Sequence, residues 1–548
     1  MLKAILMYKH RIMKQTCNYK IIHPVLNLLD YVHDKNKCIL IKERIDSTGF
    51  LKIIINLFLI YIYIFSFISK KQRLNTKIIL FKLVAGICIL IFESKIENIP
   101  KTKLNNYKIK QDEIFDTAII GSGPGGSIAA LSAVKRNENV LIIESGQPYS
   151  QKDITHHSLT QTKLQFDKEG MSFCYGNVPM LFAEGSTYGG GSEVNSGLYF
   201  KLINPYRESF LSKANISEEE WTEKETYVEK ILSVQKSPKF SQSEPESALI
   251  KGSKKLDFFY EEIPRWRIYE PVEVHQSMQM TYLKKAEDLG LKKICNTQVI
   301  KLQKNKNYIE IHSIDSSKKK LNIRARKVVL AAGTIGTPKI LKASKLIKDR
   351  VKFNFHPMTR CVVDYGKKIN DGDLFPPYQA WTKDYNYKFG YSVSTYPFLK
   401  ATLASLGIFD NNLDPSNLAC YFSSTVLNNS KSRILFLGKR AIPFTYISKQ
   451  DKKKIQDGFE LLKKLLLSGG SKNVWPESGI APMTTVHIFG SLPLNSNKDL
   501  GSLGELNSDP RIKVCDASIL PSAPWGNPQA VIMVLNEILI EKWLSKFE

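Results

Sequence analysis

A glycine-rich turn between two apolar segments constrains the fold of this chain more than any other feature. From Asp116 the sequence reads "DTAIIGSGPGGSIAALSAVKRNENVLIIESG". The segment "TAII" predicts a buried strand, "SIAALSAV" a helix of small residues, and "VLIIE" a second strand. Three glycines between the first strand and the helix, Gly121, Gly123 and Gly126, have the spacing GxGxxG. This order predicts a strand–turn–helix–strand unit of an α/β fold.

The spacing of these glycines suits the phosphates of a dinucleotide. Gly121 permits the tight turn, Gly123 lets the backbone approach a pyrophosphate, and Gly126 lets the helix pack close to the strand. The helix N-terminus then offers free N–H groups and a partial positive charge to the phosphates. Glu144, which ends the second strand, can accept hydrogen bonds from ribose hydroxyls. The unit predicts dinucleotide binding and does not by itself distinguish FAD from NAD.

Length, charge and cysteine content exclude several other classes. A chain of 548 residues is long enough for more than one domain. Its eight cysteines are scattered singly, which predicts neither a zinc site nor a disulfide framework and favours a reducing compartment. More than half of the net charge of +26 lies in residues 1–110, and the rest is spread as single lysines among Asn and Ile, which indicates a solvated surface. We therefore expect no metal site and no nucleic-acid partner.

The first 113 residues differ from the rest. Residues 53–69, "IIINLFLIYIYIFSFIS", form an uncharged apolar run at the lower limit of length for crossing a bilayer. One interpretation is a membrane anchor whose basic flanks bind acidic lipid, with either orientation allowed. The other is a poorly structured leader or a stretch upstream of the true start. The run starts too late for a cleaved signal peptide. The predicted location is cytoplasmic, or membrane-associated through this segment.

Further motifs follow the dinucleotide unit in a characteristic order. They are "EGSTYGGGSEVNSGLYFKL", "HQSMQMTYLKKAEDLGLKKICNTQVIKL", "RARKVVLAAGTIGTPKILKAS", "VHIFGSLPLN" and "VCDASILPSAPWGNPQAVIMVL". From about residue 114 to the C-terminus, the chain resembles the glucose-methanol-choline (GMC) family of FAD-dependent oxidoreductases. Within that family it is most similar to the sterol and long-chain alcohol oxidases and dehydrogenases.

The resemblance implies an α/β architecture of two discontinuous domains. A Rossmann-like FAD-binding domain is expected at 114–205, 285–350 and 476–548. A second domain with an antiparallel sheet, which binds the substrate, is expected at 206–284 and 351–475. Helices are predicted at "SEEEWTEKETYVEKILSV" and "SKQDKKKIQDGFELLKKLLLSGG", where serines begin the segments and glycines end the second.

The resemblance also assigns residues to the cofactor. In a loop whose glycines let backbone lie flat beside a ring, Gly190, Gly191 and Asn195 would lie near the isoalloxazine. Some relatives attach FAD covalently through a histidine in this loop. The matching residue here is Val194, which predicts non-covalent FAD.

Three further cofactor contacts are implied nearer the C-terminus. Val299 would contact the adenine, and Asp516 the phosphate–ribityl region. Pro528 would begin a helix whose N-terminal dipole points at the flavin N1–C2=O edge and favours the reduced flavin.

Two residues are candidates for catalysis. His487, in "HIFG", resembles the catalytic histidine of the family, and imidazole suits a base because its ordinary pKa lies near neutral pH. Asn527 matches the partner position, where its amide would bind the substrate oxygen. It is also predicted to be the N-cap of a helix that starts at Pro528. We expect His356 to be structural.

The sequence departs from the family pattern after the candidate base, His487. The family continues with Thr-Cys and then Met-Gly, and this chain has other residues at those positions: Ser491, Leu492, Leu494 and Asn495. The other histidines considered, His156 and His157, are predicted to lie on the surface.

The resulting prediction is oxidation of the CH–OH group of a small-molecule alcohol, with hydride transfer to flavin N5 and His487 as base. Three alternatives stay open. One is a sugar dehydrogenase of the same fold that feeds an electron carrier, and another is a membrane-associated flavin-binding protein without turnover. An NAD-dependent enzyme is disfavoured by the C-terminal His/Asn pattern. The sequence leaves the electron acceptor open between oxygen and a carrier protein or quinone.

Overall fold

The computed structural model describes residues 104–548. Its description omits these positions: 171, 239–242, 348–350, 373–376, 409–411, 439, 478–480 and 496–497. The described residues form a mixed α/β fold with two large sheets and two small ones, so the predicted α/β class is confirmed at that level.

The first large sheet has eight strands and contains the glycine-turn unit. Its central strand, Ile114–Ile120, pairs in parallel with Val140–Ile143 on one side and with Lys320–Leu330 on the other. The sheet is completed by Lys292–Ile294, Thr297–Lys304, Ile309–Asp315, Glu505–Leu506 and Asp509–Val514. Where the first three of these strands pair in parallel, residues 117–120, 140–143 and 327–330 are buried, as expected for parallel strands covered on both faces.

Helix Pro124–Val134 follows the glycine turn and is buried for nearly its whole length. It packs against the C-terminal helix Gln529–Leu544 and against Tyr282–Asp288. Its small side chains allow these close approaches, and this explains why the sequence of this helix is poor in large residues.

The second large sheet has twelve strands and is mostly antiparallel. Its strands are Ser172–Gly176, Met180–Phe182, Phe259–Glu262, Val351–Lys352, Met358–Asp364, Tyr378–Trp381, Lys388–Tyr391, Leu418–Ser424, Lys431–Leu437, Arg440–Tyr446, Asn473–Trp475 and Thr484–Thr485. Three of them, Ser172–Gly176, Met180–Phe182 and Thr484–Thr485, fall in ranges predicted for the FAD domain.

The small sheets and remaining helices complete the described fold. Asn354–Phe355 pairs with Ile488–Phe489, and a three-stranded sheet contains Val234–Gln235, Arg265–Ile268 and Val274–His275. The other helices are Leu159–Gln165, Tyr206–Ala214, Glu218–Ile231, Glu244–Leu256, Gly333–Ala343, Tyr396–Leu406 and Lys449–Ser468. Short 3₁₀ turns span Asp167–Gly170, Gly190–Glu193, Pro415–Asn417, Ala517–Ile519 and Ser545–Phe547.

Both helices predicted from charge and capping patterns are present. Ser217 accepts a hydrogen bond from the Glu220 N–H at the start of Glu218–Ile231. Ser448 does the same with the Asp451 N–H, and the second helix ends at Gly469. Capping serines therefore fix where both helices begin.

Among residues 104–548, no described helix is long and apolar enough to cross a membrane. The apolar run at 53–69, proposed from sequence as an anchor, lies outside the described residues.

Candidate active site

A cavity of about 1420 Å³ is lined by residues of both large sheets. The first sheet contributes the carboxyl ends of its central strands, Ile120 and Ile143, where ligands of parallel α/β sheets commonly bind. Both candidate catalytic residues line this cavity, together with every predicted cofactor residue except Gly126: Gly121, Gly123, Glu144, Gly190, Gly191, Asn195, Val299, Asp516 and Pro528.

The geometry of the glycine turn explains why Gly126, unlike the other predicted cofactor residues, does not line the cavity. Gly121 has φ +98°, and a Cβ there would lie 2.2 Å from the Ala331 carbonyl oxygen. A Cβ on Gly126 would lie 2.0 Å from the Gly121 oxygen, so this glycine serves helix packing. At Gly123 the nearest atom would be Gly190 Cα, 4.0 Å away. Only Gly123 therefore has a side left open toward the cavity.

Three helices present their N-termini to the cavity. Helix Pro124–Val134 and helix Gln529–Leu544 both lack a side-chain cap, so their first N–H groups are available to a ligand. The third, Gly333–Ala343, is capped by Asp516, which accepts from the Gly333 N–H at 2.9 Å. The two uncapped N-termini are the ones able to attract negative charge.

The two candidate carboxylates are held by the protein itself. Glu144 accepts from the backbone N–H of Ser122 at 2.9 Å and from its hydroxyl at 2.7 Å. Asp516 also accepts from Thr337 Oγ1 at 2.5 Å and from the Ser518 N–H at 2.7 Å, and burial raises its pKa. Both carboxylates thus fix neighbouring turns at the edge of the cavity.

The glycine loop is tied to the C-terminal helix. Asn195 Nδ2 donates to Gln529 Oε1 at 2.6 Å, and Asn195 Oδ1 accepts from the Gly197 N–H at 2.9 Å. Val194 also lines the cavity. The amide bridge holds the loop against the uncapped helix N-terminus.

His487 lines the cavity and contacts His356. Their Nδ1 atoms lie 3.4 Å apart, and the His356 N–H donates to the His487 carbonyl oxygen at 3.2 Å. Burial, followed by the charges of His356 and Lys388, holds the pKa of His487 well below its ordinary value. Burial likewise lowers the pKa of His356 to about 3. Both imidazoles are neutral at neutral pH, so His487 has a free nitrogen lone pair with which to accept a proton.

Asn527 differs from its predicted role as a helix cap. The helix begins at Gln529, its N-cap position is Pro528, and no side chain caps it. The Asn527 Oδ1 atom instead accepts a hydrogen bond from Lys388 Nζ at 3.0 Å. The capping prediction is wrong because a lysine from the second sheet takes the oxygen that a cap would need.

Lys388 is a functional candidate that the sequence reasoning missed. It is 4% exposed, its Nζ lies 4.7 Å from the Phe200 ring centroid, and burial lowers its pKa to about 7. In the described part of the chain, no carboxylate pairs with it. The one available signal was a single lysine inside the aromatic stretch "DYNYKFGY".

Arg360 is a second missed cation and lines the cavity. Its Nε donates to Ser392 Oγ at 2.7 Å, and its Nη1 donates to Thr484 Oγ1. Burial lowers its pKa, and among the described residues it forms no ion pair with an acid. Two neutral hydroxyls are therefore the only side chains that hold this guanidinium within the described structure.

The surface prediction for two other histidines is wrong. His157 is buried and lines the cavity, and His156 is half-buried with its ring centroid 4.0 Å from that of His157. His156 also lies 6.2 Å from the His275 ring. The loop packs inward onto His275, a contact that the local polar sequence did not reveal.

Comparison with known proteins shows which proteins this chain resembles. The GMC oxidoreductase family model matches residues 125–358. A GMC-type oxidoreductase of Sinorhizobium fredii is 23% identical over 78% of this chain and 94% of its own length. A long-chain-alcohol oxidase of Arabidopsis thaliana is 23% identical over 74% of this chain, which spans 61% of that relative.

A solved structure agrees in fold. Pyridoxine 4-oxidase from Mesorbium loti superposes with a TM-score of 0.62 and 13% identity, covering 78% of this chain and 99% of the other. Together with the family-model match and the two relatives, this likeness confirms the predicted resemblance. Residues 125–358 match the GMC oxidoreductase domain, and the chain is similar over most of the described residues to a GMC-type oxidoreductase.

Proposed function

We propose that this chain is an FAD-dependent oxidoreductase that oxidises the CH–OH group of an alcohol. The observation that carries the proposal is one continuous cavity. It is bounded by the Gly121–Gly126 turn and also by His487 and Asn527. The proposed dinucleotide site and the proposed proton acceptor thus line the same cavity.

The residues around the cavity fit FAD. The open side of Gly123 and the uncapped N-terminus of Pro124–Val134 suit a pyrophosphate. We assign Glu144 to a ribose, Val299 to the adenine, and the Gln529 helix N-terminus to the flavin edge. When bound, FAD supplies the acceptor for a hydride. Non-covalent binding is our expectation, because Val194 offers no nucleophile.

His487 is proposed as the base that takes the hydroxyl proton. Oxidation of a CH–OH group removes a hydride from carbon and a proton from oxygen, and leaves a carbonyl product. If His487 Nδ1 donates to His356 Nδ1, the Nε2 lone pair is free to accept that proton. Because Lys388 holds the Asn527 oxygen, the Asn527 NH2 group is left to donate to the substrate oxygen.

The test uses the full-length protein and its visible spectrum. We expect bound flavin that bleaches without oxygen when a panel of long-chain alcohols, sugars and sterols is added. Oxygen uptake compared with dye reduction then identifies the acceptor class. Protein that carries no flavin would overturn the proposal, and flavin that no member of the panel reduces would favour a binding protein without turnover.

A matched pair of variants assigns the base. His487→Ala should keep the flavin and lose bleaching. His312→Ala, on strand Ile309–Asp315 of the first sheet, should leave both unchanged. Bleaching at the wild-type rate in His487→Ala would remove this residue from the mechanism.

A further inference from the structure

Arg360 is a cation in the cavity wall whose charge the described protein does not neutralise. Burying an unpaired charge is costly, so such groups are normally paired or hydrogen-bonded. Ser392 and Thr484 use the Nε and Nη1 groups, and Nη2 has no partner among the described residues. A planar guanidinium with donors left over matches a carboxylate in both charge and geometry.

The register of the second sheet shows what surrounds Arg360. Arg360 pairs with Phe422, Phe422 with Gly390, and Gly390 with Gln379, all across antiparallel strands. Residues directly opposite one another in such strands share a face, so these four form one row on the cavity side. A Cβ on Gly390 would lie 3.0 Å from the Phe422 ring and 3.1 Å from Gln379 Cγ, which agrees with this placement.

Gln379 provides a second unsatisfied polar group in the same row. It is 2% exposed and lines the cavity, and its Oε1 has no hydrogen-bond partner within the described structure. The row thus has a cation at one end, an aromatic ring and a glycine gap in the middle, and an amide at the other end. A wall built only for an apolar chain would not contain these two polar side chains, one half-buried and one buried.

A neighbouring row relates Arg360 to the candidate catalytic groups. Lys388 pairs with Ser424, and Ser424 with Met358, which puts Lys388 on the same face two residues away from Gly390. Two strands across and two residues along correspond to a backbone separation of roughly 12 Å between Lys388 and Arg360. Because Lys388 holds Asn527, a ligand at Arg360 can extend several atoms toward the catalytic amide.

We infer that Arg360 binds a carboxylate of the substrate, so that the alcohol oxidised is a hydroxy acid with several carbons between hydroxyl and carboxylate. The claim that the ligand is a substrate rests on the proposed function. The claim that the ligand is an anion rests on the geometry of this row. A single guanidinium matches a single negative charge, which favours a carboxylate over a phosphate dianion. The pyrophosphate of a dinucleotide belongs at the Gly121–Gly126 turn on the other sheet.

The test is calorimetric titration of the flavin-loaded full chain with two matched ligands, 6-hydroxyhexanoate and hexane-1,6-diol. We expect the acid to bind at least about tenfold more tightly than the diol, as a charge-assisted bidentate contact provides. Arg360→Met should abolish the difference, and Arg360→Lys should retain part of it. Arg433→Met, which removes an exposed charge from the same sheet, should leave it unchanged.

Several outcomes would overturn the inference. They are equal affinity for acid and diol, no binding of either, or an acid preference that survives in Arg360→Met. Loss of flavin from Arg360→Met with normal thermal unfolding would assign the guanidinium to the cofactor instead.

The test distinguishes failure of the proposed function from failure of the hydroxy-acid inference. Bleaching by neutral alcohols without any acid preference would support the oxidoreductase and overturn the hydroxy acid. Acid binding without bleaching by any alcohol would support the anion site and contradict turnover. Among acids that do bleach the flavin, 6-hydroxyhexanoate should be faster than 2-hydroxyhexanoate, because the 2-hydroxy acid is too short to span the two rows.

Discussion

The Nζ atom of Lys388 donates to the Asn527 side-chain oxygen at 3.0 Å, directly before the C-terminal helix. The contact joins a strand of the second sheet to the segment that carries the candidate substrate-binding amide. An amide whose oxygen is held by an ammonium or amine must present its NH2 group elsewhere. The lysine therefore fixes the donor direction of Asn527, and its charge acts on His487 through the same buried space.

Replacing Lys388 with Met should reduce the rate of flavin bleaching by roughly 10- to 100-fold. The loss is smaller than the roughly 100- to 1,000-fold for removing a donor to the reacting oxygen, because Asn527 remains and loses only its orientation. Flavin content should not change, because Lys388 does not line the cavity. Since Lys388 is one of the charges that lower the pKa of His487, the acid limb of the pH–rate profile should also move to higher pH. A variant with the wild-type rate and profile would contradict this role.

The same variant should change how stability depends on pH. Burial lowers the pKa of Lys388 to about 7 from 10.5, so between these values the unfolded chain binds a proton that the folded chain does not. Wild-type stability should therefore rise with pH across this window relative to Lys388→Met, by up to about 1.4 kcal/mol per pH unit. Denaturant unfolding of both proteins at pH 7, 8 and 9 measures the difference. Parallel stability profiles would mean that the lysine has the same pKa folded and unfolded.

His356 should act by positioning His487. Substituting Phe for His356 removes the Nδ1 partner at 3.4 Å and leaves the tautomer of His487 unfixed. We expect the turnover rate to fall about tenfold with flavin retained, as for the loss of one orienting contact to a general base. The pH–rate profile provides the specific readout, because a purely structural defect would lower thermal stability without moving the profile.

Substitutions at two glycines of the turn should distinguish a role in folding from a role in cofactor binding. A Cβ on Gly126 meets backbone at 2.0 Å, so Gly126→Ala should destabilise the protein by several kcal/mol. A Cβ on Gly123 meets nothing closer than 4.0 Å and enters the cavity, so Gly123→Ala should fold normally and lose flavin. Thermal unfolding and the ratio of flavin to protein absorbance distinguish the two. Full flavin content in Gly123→Ala would contradict the placement of the pyrophosphate.

The parts of the site that could be predicted are those encoded over short stretches. The Gly121–Gly126 turn was recognisable because strand, turn and helix follow one another within a few residues. His487 and Asn527 could be named from motif order, and the structure brings both to one cavity. The sequence could not show that Asn527 does not cap the helix, since the competing donor, Lys388, is 139 residues away.

Arg360 and Lys388 were missed for the same physical reason. Each occupies a strand in which alternating residues face opposite sides. Only the register with Phe422 and Ser424 shows that both lie on the same face of the sheet, the face on which Arg360 lines the cavity. Local composition does not reveal pairing between strands so far apart in sequence. The location of His157 was mispredicted because its environment is set by His156 and by the distant His275.

Because side chains alternate between the two faces of these strands, mutations can change one face of the second sheet and leave the other unchanged. Phe389, Cys361 and Tyr421 lie on the other face, in a core that includes Phe459 and Leu462 of helix Lys449–Ser468. Changes at every second position can therefore vary what the cavity accepts while the neighbouring positions keep the core intact. A library confined to the cavity-side positions would sample new specificities at low risk of unfolding, which gives this scaffold room to evolve.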